Sequence, residues 1–274
     1  MLLSRVLSYV IKPRIYVILR GGLGNQLHQI AAGANWAEKR GFRLIIFSHI
    51  VDTANNPDRR GLFRELNINA VFPNVTISEP NQFENFLLRL ANLNSFKLVK
   101  SCMVSENNFF DVKKLPIALL RGWFQSIGFL PSSIDITRMV PARISDFHDL
   151  SVHVRLTDFL TIDPTPLNSE YYESAISFVE NLSTSGFITC FSDDISSAQK
   201  MLPSDRAYFY PELNKALNAY ELLIELASSK TLIASKSTLC WWAGLYVVSN
   251  GGRVISPLEG PTPSDLWVQL NNLK

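Results

Sequence analysis

The sequence has few cysteines, almost no net charge and no long hydrophobic run. Cys102, Cys190 and Cys240 lie far apart in apolar or strand-like surroundings, so we expect buried thiols in a reducing compartment and no disulfide framework. The 26 basic and 24 acidic residues leave a net charge of +2, which gives no reason to expect a nucleic-acid partner. No apolar run approaches the roughly 20 residues of a transmembrane helix, so a cytoplasmic location is predicted.

The first eleven residues are apolar and basic. They contain Arg5 and no acid, and Lys12 and Arg14 follow shortly afterwards. No small-residue cleavage site follows, so a secretory signal is not predicted. This composition is typical of a weak interfacial anchor or of a simple lead-in helix. A peripheral contact with the inner face of the cytoplasmic membrane is therefore one of two alternatives.

A chain of 274 residues with 47% hydrophobic residues is long enough for one large α/β domain or two compact ones. A short apolar strand at 15–19, an amphipathic helix and a second strand at 43–47 form a β-α-β unit. A second series of strands and helices begins at 151–155. We therefore predict two facing Rossmann-like domains, residues 1–148 and 149–274, with a ligand cleft between them.

The remaining elements follow from hydrophobic periodicity and from glycine and proline breaks. Further strands are predicted at 98–104, 117–123, 187–191, 231–234 and 254–255. Helices are predicted at 27–40, 82–93, 134–139, 169–181, 195–201, 214–228 and 238–248. A proline and clustered polar residues make 141–149 the candidate linker.

Glycines stand where the first strand meets the first helix. Gly22 and Gly24 lie in the segment RGGLGNQLHQ, and Asn25 follows them. Glycine permits close approach of the backbone, and a helix N-terminus favours negative charge, so this segment is a candidate for binding phosphate. It lacks the third glycine of a dinucleotide fingerprint and the lysine of a P-loop. A turn without a ligand remains the alternative.

Two further predicted strand ends carry charged side chains. His153 and Arg155 alternate along one strand with Asp158 just beyond, which offers a cation for phosphate; an Arg155–Asp158 pair that pins the loop is the alternative. Asp193 and Asp194 follow the next strand. Either could cap the helix or accept two hydrogen bonds from guanine. A metal site is not expected, because no third acid or histidine lies nearby in sequence.

A last strand end opens directly into a helix through SKSTLCWWAG. Ser237 and Thr238 could cap this helix or hold phosphate together with its first N–H groups. Trp241 and Trp242 are interpreted as core residues, because aromatic side chains are usually buried.

Taken in order, these segments resemble those of the α-1,2-fucosyltransferases. GGLGNQLHQ is similar to the family's GGLGNQLFQ, HVRLTDF to HVRRGDY, FSDD to FSDD, and SKSTLCWWAG to NSSFSWWA. The similar segments extend from about residue 17 to residue 244. Because several motifs occur in one order with matching local structure, the resemblance is far more specific than any one of them.

The resemblance implies a GT-B fold with the acceptor-side domain first and the GDP-sugar domain second. It also implies inverting transfer of L-fucose from GDP-β-L-fucose, without an obligatory metal or other cofactor. The resemblance implies that Arg155 binds the β-phosphate and that His153, with Asp193 or Asp194, binds guanine. Ser237 and Thr238 are implied to bind the phosphates, and Gly22, Gly24 and Asn25 to form the wall of the cleft. Asp158 is implied to be the base or the group that orients the acceptor.

The sequence departs from the family pattern at two places. Leu156 and Thr157 replace the usual Arg-Gly pair, and His28 replaces a common phenylalanine. The length is similar to that of the bacterial enzymes that build O-antigen or capsule, which implies the 2-OH of a β-galactoside on a lipid carrier as acceptor. The alternatives are transfer of a related GDP-deoxysugar such as colitose, and a GDP-sugar-binding module without catalysis.

Overall fold

The computed structural model describes residues 13–47, 65–82, 84–85, 103–110, 117–140, 148–157, 167–180, 187–257 and 268–270. The chain divides into two compact units, Met1–Asp135 and Ile136–Lys274. Both units are α/β, as predicted. Several predictions fall outside the described residues: the segment 1–11, Cys102, the candidate base Asp158, residues 141–147 of the candidate linker, and most of the helix predicted at 82–93.

The first unit contains a five-stranded parallel sheet. Its strands are β1 (Arg14–Ile18), β2 (Arg43–Phe47), β3 (Ile77–Ser78), β4 (Met103–Val104) and β5 (Ile117–Leu120), and their order across the sheet is β3-β2-β1-β5-β4. Successive strands are added outward from β1 to β3, and the chain then returns to the other side of β1. The order therefore reverses between β1 and β5, where open α/β sheets bind ligands at the carboxyl ends of the strands.

Helix α1 (Leu23–Arg40) connects β1 to β2 and packs on the sheet. Gly33 permits this packing, because a Cβ at that position would lie 2.6 Å from Val17 and 2.8 Å from Leu44. The helix ends at Gly41, which has a φ of 68° and donates its N–H to the carbonyl of Ala37. The predicted β-α-β unit is thus confirmed. A second, short helix α2 (Ile68–Val71) follows.

The second unit contains a six-stranded parallel sheet. Its strands are β6 (His148–Val154), β7 (Ile188–Ser192), β8 (Tyr208–Phe209), β9 (Ser229–Ile233), β10 (Arg253–Pro257) and β11 (Val268–Leu270), in the order β11-β10-β9-β6-β7-β8. Here the order reverses between β6 and β9. The carboxyl ends of these two strands are therefore the expected ligand position in this unit.

Among its described residues, the second unit has four helices: α3 (Ser169–Glu180), α4 (Ile195–Met201), α5 (Ala219–Ala227) and α6 (Thr238–Ser249). The apolar face of α3, with Tyr171 and Ile176, packs against the buried strand residues Val152 and Val154. Trp241 and Trp242 of α6 are buried, with ring centroids 5.2 Å apart. The interpretation of both tryptophans as core residues is confirmed.

Several predicted element bounds are wrong, including the start of one helix and the end of one strand. The predicted helix 214–228 begins later, at Ala219, because the Asn218 side chain accepts hydrogen bonds from the N–H groups of Tyr220 and Glu221, and Glu221 accepts one from the N–H of Asn218. The strand predicted at 117–123 ends at Leu120. As a consequence, Trp123 lies in a loop and not in the sheet.

The first unit ends earlier in the chain than the predicted boundary between residues 148 and 149. The 3₁₀ turn Ile136–Arg138 packs against α6 of the second unit, which explains the earlier division. The predicted boundary instead coincides with the first residues of β6.

The described cysteines are buried free thiols. Cys190 and Cys240 lie in the second unit, and burial raises the pKa of Cys240 to about 12. Both therefore behave as small apolar side chains, as predicted. Among the described helices, none combines the length and the hydropathy that crossing a membrane requires.

Candidate functional site

Arg155 lies at the end of β6, beside the point where the strand order of the second sheet reverses. Its Nη1 is 3.1 Å from Oδ2 of Asp193, which follows β7. The Arg155 side chain keeps 28% of its surface exposed. A guanidinium that is fixed by a carboxylate and still accessible can donate to a bound anion.

Asp193 ties the loop after β6 to the loop after β7. Its Oδ1 accepts a hydrogen bond from the N–H of Leu156 at 2.8 Å. Its Oδ2 accepts from the N–H of Thr157 at 3.3 Å and from the Thr157 hydroxyl at 2.5 Å. An ion pair at Arg155 therefore pins this loop, with Asp193 as the carboxylate. The predicted alternative partner, Asp158, lies outside the described residues. Leu156 itself is buried in the core.

Asp194 caps helix α4. Its side chain accepts hydrogen bonds from the N–H of Ser197 at 3.1 Å, the Ser197 hydroxyl at 2.7 Å and the Ser196 hydroxyl at 2.9 Å. These bonds, the one from the Ser197 hydroxyl first, lower the pKa of Asp194. The capping alternative is confirmed for this residue.

We expect Asp194→Ala to lower the melting temperature by about 2–4 °C, because an N-cap is lost while the core stays intact. The affinity for GDP, the nucleotide that the sequence resemblance implies, should stay the same. Thermal melting and GDP titration of the purified variant measure both quantities. A weaker affinity for GDP with an unchanged melting temperature would instead indicate a contact between Asp194 and the nucleotide.

His153 connects β6 to the loop after β9. Its ring Nδ1 is 2.8 Å from the Ser235 hydroxyl, and the side chain is only 2% exposed. Burial, followed by the positive charge of Arg155, lowers the pKa of His153 to about 4, although Asp193 acts in the opposite direction. The imidazole is therefore neutral at pH 7. It fixes the end of the strand from which Arg155 extends.

Ser237 and Thr238 lie where β9 leads into α6. The Ser237 hydroxyl accepts a hydrogen bond from the N–H of Leu239 at 3.3 Å, and Thr238 is the first residue of the helix. Ser237 is thus the N-cap, which was one of the two alternatives. The N–H groups of the first turn of this twelve-residue helix add partial positive charge at the same strand end.

Lys236 was not predicted as a site residue from the sequence. It lies between a buried strand and a buried helix. It is only 6% exposed. Strands β6 and β9 are parallel with Val152 opposite Ile233, so Arg155 and Lys236 occupy corresponding positions just beyond the two strands. Lys236 therefore adds to the positive charge where the strand order reverses.

The glycine segment of the first unit lies at the carboxyl end of β1. Gly22 is the N-cap of α1, and Gly24 is buried in its first turn. Oδ1 of Asn25 accepts a hydrogen bond from Nε2 of Gln125 at 2.7 Å. Gly21 is the residue that this turn requires to be glycine: its φ is 73°, and a Cβ would lie 2.7 Å from Nδ2 of Asn25. Gly21 was not among the residues predicted to form the site.

In the part of the chain that the structure describes, no three His, Cys, Asp or Glu side chains gather in a way that could hold a metal ion. The described site offers cations, hydroxyls and helix N–H groups, which suit an anionic ligand.

Similar proteins fall into one enzyme class. Residues 135–260 match glycosyl transferase family 11. The O-antigen biosynthesis glycosyltransferase WbnK of Escherichia coli is 25% identical over 93% of this chain and 100% of its own length. The fucosyltransferase NodZ from Bradyrhizobium has a TM-score of 0.52 at 16% identity, over 86% of this chain and 92% of that one. NodZ α-1,6-fucosyltransferase soaked with GDP-fucose has a TM-score of 0.51 at 16% identity, over 86% of this chain and 93% of that one. The structural similarity confirms the predicted GT-B fold class.

Proposed function

We propose that this chain, whose residues 135–260 match glycosyl transferase family 11, transfers L-fucose from GDP-β-L-fucose to an acceptor glycan with inversion at the anomeric carbon. The acceptor group is the 2-OH of a β-galactoside in a lipid-linked O-antigen or capsule unit. The full-length similarity to WbnK, named for O-antigen biosynthesis, supports the pathway. The similar fold of NodZ α-1,6-fucosyltransferase, whose crystal was soaked with GDP-fucose, supports GDP-fucose as the donor. The basic N-terminal segment would approach the acceptor at the membrane surface.

The observation that carries this proposal is the arrangement of Arg155 and Asp193 where the strand order of the second sheet reverses. During transfer, the bond from the anomeric carbon to the β-phosphate oxygen breaks as the bond to the acceptor oxygen forms. Negative charge develops on the β-phosphate of the leaving GDP. Arg155, Lys236 and the first N–H groups of α6 would stabilise this charge more in the transition state than in the ground state.

The acceptor hydroxyl must lose its proton as the new bond forms. We propose Asp158 for this role, because it follows Arg155 closely in the loop that Asp193 holds at Leu156 and Thr157. Neither His153, which is buried and paired with Ser235, nor Asp194, which caps a helix, is placed to serve as this base. With positive protein groups on the diphosphate, the chemistry needs no metal ion.

Incubation of the protein with GDP-fucose and a panel of β-galactosides tests the proposal, with the linkage of the product determined by NMR. We expect an α-1,2-linked fucosyl product and no product from the matched 2-deoxygalactoside. GDP-colitose in direct competition distinguishes the related donor, which would replace fucose in the product. Thermal stabilisation by GDP without turnover on any galactoside would instead identify a binding module.

A further inference from the structure

A tryptophan lies at the carboxyl end of β5, where the strand order of the first sheet reverses. Trp123 is 48% exposed, and its loop lies beside the glycine turn that follows β1. A Cβ added to Gly21 would be 3.2 Å from Cζ3 of Trp123, so the indole ring lies against this turn. The position is the one at which an open parallel sheet binds its ligand.

The backbone of Trp123 is fixed by a carboxylate that follows another strand of the same sheet, β4. Oε1 of Glu106, in the 3₁₀ turn after β4, accepts hydrogen bonds from the N–H of Trp123 at 2.5 Å and the N–H of Phe124 at 2.6 Å. Gly122 leaves room for this carboxylate, because a Cβ there would lie 2.9 Å from the same oxygen. One acid thus holds two consecutive residues of the loop.

The next residue, Phe124, has a left-handed backbone with a φ of 54°. This conformation is unfavourable for a bulky side chain, and such residues cluster at ligand sites. Its ring is buried against Phe109 and Phe129, with centroids 5.7 and 5.3 Å away. Burial of Phe124 and the Glu106 carboxylate together hold the loop so that Trp123 points away from the core. An aromatic side chain kept rigid and half exposed is suited to binding.

Polar groups stand next to this indole. Gln125 follows in the same loop, and its amide is oriented by the 2.7 Å hydrogen bond to Asn25. A flat apolar surface beside amide groups matches a pyranose, which has an apolar face of C–H groups and a rim of hydroxyls. The cations suited to a diphosphate, Arg155 and Lys236, belong to the second unit.

We propose that Trp123 is the platform on which a neutral pyranose ring of the acceptor glycan stacks, with Gln125 bonding its hydroxyls. This inference rests on the proposed function and adds the acceptor subsite to it. Glu106 and Phe124 are positioning residues, since they act through the loop and not on the sugar.

Steady-state rates of Trp123→Ala with varied acceptor test this role. We expect the acceptor KM to rise about tenfold, because the substitution removes one aromatic stacking contact. The donor KM and the hydrolysis of GDP-fucose without acceptor should change less than twofold. Trp123→Phe, which keeps a flat ring, should recover most of the affinity, whereas Trp123→Leu should not. The control is Phe187→Ala, an aromatic residue of the second unit that is 76% exposed and directly precedes β7, and it should leave the acceptor KM unchanged.

An unchanged acceptor KM in both Trp123→Ala and Trp123→Leu would overturn the proposal. A raised donor KM in these variants would overturn it as well, because the ring would then contact the nucleotide. NMR titration with methyl β-D-galactopyranoside in the presence of GDP separates this inference from the proposed function. If the wild type transferred no fucose and Trp123→Ala nevertheless bound the galactoside more weakly than the wild type, the platform would be supported and the proposed transferase activity refuted.

Discussion

Arg155→Ala should reduce the rate of fucosyl transfer by about a thousandfold, because it removes a preorganised cation from the phosphate where negative charge develops. The melting temperature should change little, since the side chain is 28% exposed and a partly exposed ion pair contributes little to stability. Arg155→Lys keeps the charge but loses the planar arrangement of donors, so its rate should lie between those of Ala and wild type. Single-turnover rates at saturating donor measure the effect on the chemical step.

Arg206→Ala is the matched control for Arg155→Ala. Arg206 also lies in the second unit, where it precedes the parallel strand β8 and forms an ion pair with Glu180 at 2.6 Å. Its loss should leave transfer unchanged, because surface ion pairs contribute little. Near-normal transfer by Arg155→Ala would contradict the role of Arg155 on the phosphate. Equal losses in the Arg155 and Arg206 variants would point to a general effect on folding.

The sequence predicted the fold best where a strong periodic pattern meets a clear stop signal. Strand β2 and helix α4 have the predicted bounds, and α1 ends at the predicted glycine, Gly41. The start of α5 was misplaced because the reciprocal cap of Asn218 and Glu221 was not recognised. Strands β3 and β8 were missed, since a pattern of two residues cannot be distinguished from a loop and only pairing with a neighbour defines them.

The positions of the candidate site could be predicted because parallel strands expose their carboxyl ends along one edge. The roles of the acids could not, because their partners come from distant parts of the chain. Asp193 follows β7, and yet it bonds Leu156, Thr157 and Arg155 after β6. A carboxylate accepts about four hydrogen bonds. Asp193 therefore has little capacity left for guanine.

Two functional candidates were missed for different reasons. Trp123 was included in the strand predicted at 117–123, and a tryptophan at the end of a strand is usually a core residue. Only the observed end of β5 at Leu120 shows that it lies in a loop and is exposed. Lys236 stands among hydroxyl residues that suggested a cap, and its burial and proximity to the end of β6 are tertiary properties.

Asp193→Ala should lower kcat/KM for transfer by about a hundredfold, although Asp193 is not proposed to touch the reacting atoms. The substitution removes the carboxylate that fixes Arg155 and the main chain of Leu156 and Thr157. Small misplacements of a reactive group cost about this much in rate. Asp158, the proposed base, follows Thr157 directly in the sequence, so the loss should appear in both kcat and the donor KM.

Asp193→Asn distinguishes positioning from charge. Its amide oxygen can still accept the hydrogen bond that Leu156 donates at 2.8 Å, but the ion pair with Arg155 is lost. We therefore expect an activity between those of wild type and Asp193→Ala. Asp194→Ala is the matched control, because the neighbouring acid caps α4 and should affect the melting temperature without affecting kcat/KM. If Asp193→Ala transferred fucose as fast as Asp194→Ala, the loop after β6 would hold its shape without this carboxylate, and Arg155 would not depend on it.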